Sequence, residues 1–425
     1  MNNLISNVVG IVGLWHLGCV LAAGLSSKGI KVIGYDSDKN TINNLNSGKT
    51  PIFEPNLSET ICDSMSKNLL RFTYNIEDLS DADFIWFALD TPIDDQDNCD
   101  TSMLEFYMTE FNRKHIGKNF IVSSQVPCGT CDKLIGLVDN KKANIAYIPE
   151  NFQLGNALEY FNNTDFWVIG SNIKEYLNQV SKLFKNICKK PMLCDLRTAE
   201  MLKHALNSFF ATVISFSNSL SELAVEMRAD AYKVVELMKM EKRIGKNLPL
   251  MPGPWFSGGT LARDVRALQN INNSNSQSTK FFESVLNVNN SRIEYLLKRL
   301  REKIAIKNKN IAILGMIYKN NTNTLRRSPG IQLYDFLIKY GVKNVLIYDN
   351  LLDKNEKILK NKNIEFCDDI EDTIKRSDIV IILRSDIIKN IPSTKFSDFF
   401  DRKIVLDIPN VYKDIYNNFI IKPGN

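Results

Sequence analysis

The chain has 425 residues, 44% hydrophobic, 24% charged and 10% aromatic, with 20 glycines, which excludes a disordered, collagen-like or coiled-coil protein and suffices for two or three domains. Its 53 basic residues are scattered among 48 acidic ones, a formal net charge of +5, and lack the aromatic interleaving of a nucleic-acid platform, so the mild excess suits anionic small molecules. Met1 to Ser6 carries no cationic leader and no run of about 18 apolar residues follows, so the expectation is a cytoplasmic protein, neither exported nor membrane-inserted.

Val8 to Val12 reads as a short buried strand, Gly13 to Gly18 as a glycine turn, and Leu21, Ala22 and Leu25 as a helix face. A second strand over Lys31 to Tyr35 ends in Asp36. This strand, turn, helix, strand unit predicts a doubly wound nucleotide-binding sheet with a pyrophosphate on the first helix N-terminus. The dinucleotide fingerprint asks for three glycines, and here Gly13-Leu-Trp15-His16-Leu17-Gly18 puts Trp15 in the middle position, where its Cβ and indole must turn away from the phosphates or cover them. Asp36 is placed to accept from ribose hydroxyls, and its charge repels a 2′-phosphate, so NAD is expected rather than NADP. A Rossmann-like domain without a dinucleotide is the alternative.

Further strands are expected at Phe84 to Leu89, Asn119 to Ser123 and Asn144 to Ile148. From Thr198 onward Leu202, Ala205, Phe209, Val213, Phe216, Leu220 and Leu223 step by three and four without Gly or Pro, which predicts one long helix. A second helix is expected over Ala231 to Met240. Phe210, Ile214 and Ala224 put apolar residues on other sides of the long helix, which fits an oligomer interface and core packing within one chain equally. Leu296 to Asn308 reads as a basic helical connector. Strands at Asn310 to Leu314, Val345 to Tyr348, Ile379 to Leu383 and Lys403 to Leu406 then predict a second α/β domain. The fold class is therefore α/β, two Rossmann-like doubly wound domains joined by a long central helix, with domains at 1–197, 198–300 and 301–425. Clefts between such domains are where cofactor and substrate meet, which favours an enzyme.

Four segments carry a family resemblance: Asn46 to Leu57 (NSGKTPIFEPNL); Ala199-Glu-Met-Leu-Lys203-His-Ala-Leu-Asn207; Arg243-Ile-Gly245 followed by Pro252-Gly-Pro-Trp-Phe-Ser-Gly-Gly-Thr260-Leu-Ala-Arg-Asp264; and Gly315-Met-Ile-Tyr-Lys319 through Arg326-Arg-Ser-Pro329. From end to end the chain resembles the UDP-glucose/GDP-mannose dehydrogenases, the nucleotide-sugar 6-dehydrogenases. The resemblance implies NAD-dependent oxidation of a nucleotide-diphosphate sugar, most readily a UDP-sugar, and a homodimer built on the central helix. It also implies a place in surface-polysaccharide biosynthesis, with no nucleic-acid or membrane partner. It assigns Gly13, Trp15, His16, Leu17, Gly18, Asp36, Thr91 and Arg326 to the cofactor. Phe152, Leu154, Arg243, Phe256, Gly258 and Lys319 go to the substrate, Arg243 by reaching a neighbouring subunit's sugar. The catalytic set is Lys203, Asn207, Asp264, Thr260 and Glu150.

Several positions depart from the family pattern. Its enzymes capture an aldehyde on a cysteine thiolate and oxidise the adduct to a thioester, but the matching position here is Thr260, whose hydroxyl is a far weaker nucleophile. A family carboxylate is replaced by Leu154 and a water-binding threonine by Gln125. The first oxidation needs only a proton acceptor, a cation for the developing alkoxide and an aligned hydride acceptor, which Lys203, Asn207 and Asp264 can serve. The expectation is a two-electron oxidation that stops at a carbonyl. Two alternatives stand beside it: further oxidation of a hydrated aldehyde with Glu150 as base, and a non-catalytic nucleotide-sugar binder, to which Trp15 points. In the C-terminal domain Asn323-Thr324 replaces a family Asp-Asp pair, and Asp407-Ile-Pro409-Asn410 lacks a cation of the family's stretch. The eight cysteines form no dense framework, and Cys128-Gly-Thr-Cys131 stands alone, so reduced thiols and no metal are expected.

Overall fold

The computed structural model describes residues 7–94, 98–114, 116, 119–138, 143–164, 166–257, 259–271, 277–317, 325, 327–352, 359, 362, 364–389, 391, 395–412 and 420–424. Three of the candidate residues, Gly258, Lys319 and Arg326, lie outside them. The chain divides into two compact units, residues 1–205 and 206–425, and the boundary falls inside one continuous helix.

In the first unit, short runs rich in Val, Ile and Phe form β1 (Val8–Val12), β2 (Lys31–Tyr35), β3 (Leu70–Thr73), β4 (Phe84–Phe87), β5 (Asn119–Val122), β6 (Asn144–Tyr147), β7 (Val168–Gly170) and β8 (Met192–Cys194). They order as β3-β2-β1-β4-β5-β6-β7-β8, with every pairing parallel except β6 with β7. Helices α1 (His16–Ser27), α2 (Lys39–Asn46), α3 (Leu57–Ser66), α4 (Ser102–Arg113), α5 (Thr130–Gly136), α6 (Ala157–Asn163) and α7 (Lys174–Leu183) supply the crossovers. One face of the sheet packs Leu21, Leu25, Trp86 and Phe161, and the other packs Phe87, Phe111, Phe120 and Leu134. Burial on both faces is why the strands are near-continuously apolar rather than alternating. The expected strands are present but end one or two residues earlier, at Phe87, Val122 and Tyr147. Strands β3, β7 and β8 are only three or four residues long, too short to leave a periodic signal.

Helix α8 (Leu196–Glu226) crosses the boundary and is followed by α9 (Ala231–Met240), α10 (Leu261–Gln269) and α11 (Gln277–Arg301). The second sheet, β11-β10-β9-β12-β13-β14, contains β9 (Asn310–Leu314), β10 (Asn344–Tyr348), β11 (Glu365–Phe366), β12 (Ile379–Ile382), β13 (Ile404–Asp407) and β14 (Ile420–Ile421). All its pairings are parallel. Helix α12 (Pro329–Lys339) follows β9, and its cap Ser328 accepts from Ile331 N at 3.1 Å. The connector expected as helix over Leu296 to Asn308 is helical only to Arg301. Beyond it the chain turns so that Ile306 can enter the core of the second sheet, where it is 2% exposed.

The periodic apolar positions that predict the long helix divide between its two sides. Val213 is 6% exposed, whereas Phe209, Phe216 and Leu223 are 54%, 48% and 60% exposed. Beside the buried Ala211, Val213 and Ala224, its inward side carries many polar residues: Lys203, His204, Asn207, Ser215, Asn218 and Ser221. These polar groups are bonded, Ser215 Oγ donating to Val285 O at 3.0 Å and Ser221 Oγ accepting from Arg292 Nη2 at 3.1 Å, as burial of polar groups requires. Among the described residues no helix is long and apolar enough to cross a membrane.

Candidate active site

Strand β1 delivers the chain into Gly13, whose φ of +94° lies in the left-handed region that favours glycine. Its N–H donates to Tyr35 O at 3.0 Å and closes the turn on β2. At Gly18 a Cβ would stand 1.8 Å from Gly13 O, so α1 can seat on the turn only without a side chain there. Two of the three fingerprint roles are therefore physically present. In the middle position the Trp15 indole is 52% exposed and caps no amide of α1, so it lies in solvent rather than in the turn. Asp36 accepts Leu14 N and Asp38 N, both at 3.0 Å, and pairs with no cation among the described residues. This combination fits a dinucleotide: a glycine turn, open helix amides and an acceptor for ribose hydroxyls.

Leu17 packs partly buried against the core. Thr91, 4% exposed, ties the ends of β4 and β5 by donating to Gln125 O at 2.7 Å. His16 does not point its ring at the turn; its Nε2 lies 2.8 Å from Glu54 Oε2. The second sheet repeats the turn differently. Gly315 has φ +110°, and Asp349, the counterpart of Asp36, accepts Met316 N and Ile317 N at 2.7 and 2.9 Å. Its side chain is fully buried against Arg384 Nη1, 2.8 Å away, so this carboxylate is already ion-paired within the second sheet's own domain. Burial would push the neighbouring Asp386 carboxyl up, but the hydrogen bonds and charge of Arg384 hold it below its ordinary value.

Near the start of α8, within the first unit, the Lys203 side chain is 6% exposed. Its Nζ donates to Glu150 O and lies 3.5 Å from Asn151 Oδ1 and 3.7 Å from Glu150 Oε1. Glu150 Oε2 accepts Phe152 N at 2.8 Å. The Phe152 ring meets Tyr160, Phe161 and Trp167 with centroids 5.9, 6.3 and 5.8 Å away, so its partly buried side chain packs against the core. Leu154 is half-buried on the following turn. Two residues that carried no sequence assignment dock this end of α8. Glu200, 1% exposed, accepts Gly129 N and Cys131 N at 2.5 and 2.8 Å and so occupies the N-terminus of α5, while His204 Nε2 is 2.9 Å from Val126 O. Their signal was spacing: Glu200 and His204 stand four apart and so share one side of the helix. Burial first, and then the charge of Glu200, raises the thiols of Cys128 and Cys131 above their ordinary value, which disfavours a reactive thiolate in this CxxC.

In the second unit Asn207 Nδ2 donates to Asp264 Oδ2, and Asp264 is fully buried. Asp264 N donates to Thr260 O at 3.1 Å, whereas the Thr260 side chain is exposed and caps nothing. The loop before it is clamped by buried amides. Asn289 exchanges bonds with Phe256 N and O at 2.7 and 2.9 Å, and Asn218 Oδ1 accepts Gly253 N at 3.0 Å. The Phe256 ring packs with Ala211, Val265 and Val285, so its side chain too is core. Arg243 lies 87% exposed beside Glu241, 3.1 Å away.

Three family descriptions match the chain in order: "UDP-glucose/GDP-mannose dehydrogenase family, NAD binding domain" over residues 7–188, its "central domain" over 197–291 and its "UDP binding domain" over 312–414. UDP-glucose 6-dehydrogenase YwqF of Bacillus subtilis is 30% identical over 417 residues, 95% of this chain and 93% of that protein. The UDP-glucose 6-dehydrogenase of Rickettsia felis is 29% identical over 416 residues, covering 95% and 92%. Among solved structures, a UDP-glucose dehydrogenase from Pyrobaculum islandicum superposes with a TM-score of 0.87 at 24% identity, over 99% of each chain. A UDP-D-ManNAc dehydrogenase from Pyrococcus horikoshii reaches 0.85 at 23%, over 98% and 99%.

Proposed function

From the premise that this chain belongs to the UDP-glucose/GDP-mannose dehydrogenase family and is an NAD-dependent nucleotide-sugar dehydrogenase, we propose that it oxidises an alcohol of a UDP-sugar once and stops at the carbonyl. The observation that carries this reading is Thr260. The segment 252–264 holds no cysteine, and an exposed threonine hydroxyl does not form the thiohemiacetal that a second oxidation through a thioester needs.

When bound, the nicotinamide supplies the hydride acceptor. Gly13, the amides at the start of α1 and Asp36 hold the dinucleotide, with Trp15 flanking its phosphates. Lys203 places a buried ammonium where an alcohol oxygen gains charge as its hydride leaves. Asn207, one helical turn on, and the Asp264 carboxylate it bonds orient the water that takes the hydroxyl proton. The alcohol thus loses one hydride and one proton, and a C=O bond forms. Glu150, whose carboxylate is tied to Phe152 N, shapes the Lys203 site, and Leu154 narrows the sugar pocket with an apolar side chain. Arg243, Gly258, Lys319 and Arg326 complete the assignment to substrate and cofactor.

Incubation of the protein with NAD and a panel of UDP- and GDP-sugars, with product masses read directly, is expected to give one NADH per sugar and a carbonyl product. Two NADH and a carboxylate would overturn the two-electron reading in favour of hydrated-aldehyde oxidation. Tight sugar binding without NADH would favour a binding protein.

A homodimer through α8 completes the proposal, supported by the outward apolar stripe of Phe209, Phe216 and Leu223. Large apolar side chains exposed at seven-residue spacing along one helix call for a covering surface. The double substitution Phe209→Asp with Phe216→Asp is expected to convert a dimer into a monomer in light scattering. A wild type that is already monomeric at micromolar concentration would remove the dimer from the proposal.

A further inference from the structure

The loop carrying Phe152 and Leu154 and the turn carrying Trp15 are joined by one buried side chain. Glu54 is 4% exposed and stands three residues before α3. Its Oε2 lies 2.8 Å from His16 Nε2 and accepts Gly155 N at 2.9 Å, and its Oε1 accepts Ala157 N at 2.8 Å. The starts of α1, α3 and α6 therefore meet at a single carboxylate. The bond to His16 matters because Trp15 gives α1 no side-chain cap, so it anchors the first turn of that helix. The other end of the connection is equally constrained. Gly155 has φ +83°, and α6 packs so closely on α1 that a Cβ at Gly24 would lie 2.6 Å from the Phe161 ring. A shift of the glycine turn is thus transmitted to residues 152–157 through a hydrogen bond and a tight helix contact, rather than absorbed by a soft loop.

We propose that Glu54 is a positioning residue through which the dinucleotide turn and the substrate loop order one another, so that each ligand raises the affinity for the other. The inference rests on the assignment of NAD to the turn and a UDP-sugar to the loop. Ordering the shared element once lets the second ligand bind without that entropic cost, and linkage makes the effect reciprocal.

The test uses the full chain with NADH and UDP-glucose, a pair that cannot turn over, and reads the ratio of the UDP-glucose Kd without and with saturating NADH by calorimetry. For the wild type a ratio of about 5 to 50 is expected, in the usual range for coupled sites, and the same ratio when the ligands are added in reverse. In Glu54→Gln and in His16→Asn it is expected to fall below about 2 by loss of the same link, whatever happens to the single affinities. His16→Asn leaves both amide bonds of Glu54 in place and carries the test if Glu54→Gln does not fold. Thermal midpoints near the wild type separate lost coupling from a loosened fold. Binding of both ligands without coupling, or coupling retained in both variants, overturns the inference alone. A wild type that binds no NADH overturns the functional reading and this inference with it.

Discussion

Replacing Lys203 with Ala is expected to lower kcat by on the order of 10³-fold, the usual loss when a preorganised donor to a developing oxyanion is removed, while KM changes by only a few-fold. The split follows from where the ammonium sits. It is buried and already held by Glu150 O and Asn151 Oδ1, so it is fixed before substrate arrives and interacts most strongly once the oxygen becomes anionic. Removal also leaves a buried carbonyl without its donor, which costs about 1–3 kcal/mol of stability. A melting curve taken beside the kinetics distinguishes that loss from the catalytic one. Single-turnover hydride transfer slowed less than tenfold in a folded Lys203→Ala protein would exclude this residue as the stabilising cation.

Gly18→Ala is expected to abolish NAD binding and to destabilise the first unit by about 3 kcal/mol or more, the upper range for forcing atoms into a packed site. The added methyl would lie 1.8 Å from Gly13 O, a backbone atom that moves only if the turn itself opens. Either α1 lifts from β1 or the peptide after Gly13 rotates, and both displace the amides proposed to meet the pyrophosphate. The measurable outcomes are a fall in melting temperature of at least ~6 °C at the scaling of ΔΔG with domain size and no NADH fluorescence change on titration. Trp15 provides the contrast. Its side chain is half exposed, so Trp15→Gly is expected to leave the melting temperature near the wild type; retention of wild-type stability and NAD affinity by Gly18→Ala would show that the turn does not have the described geometry.

Much of the architecture was legible because it depends on neighbours close in sequence. The strand, glycine turn, helix, strand unit was readable from Val8 to Asp36, and the helix expected over Ala231 to Met240 has those bounds, capped by Asp230. The candidate Lys203, Asn207 and Asp264 stood out through family resemblance, since without it Lys203 reads as a solvated helix residue and Asp264 as an ion-pair partner of Arg263 or Arg266. The end of α11 was missed because the signal that breaks the helix lies in the second core, where Ile306 must be buried.

What the sequence by itself determined is the set of local decisions: apolar runs long enough for parallel strands, glycines where backbone conformation or close approach demands them, and a threonine where a thiol would be needed. What only the tertiary structure decided is which side of each element faces inward and which polar groups are satisfied there. The long helix turns serines and asparagines into the protein and Phe209 and Phe216 out, because Val285 and Arg292 on α11 bond Ser215 and Ser221 while Asp264, Gly253 and Pro254 bond the side chains of Asn207 and Asn218. Glu54 meets Gly155 and Ala157, more than a hundred residues away. A buried polar side chain is favourable only when distant donors and acceptors arrive at hydrogen-bond distance, and that meeting is a property of the folded chain rather than of any segment of it.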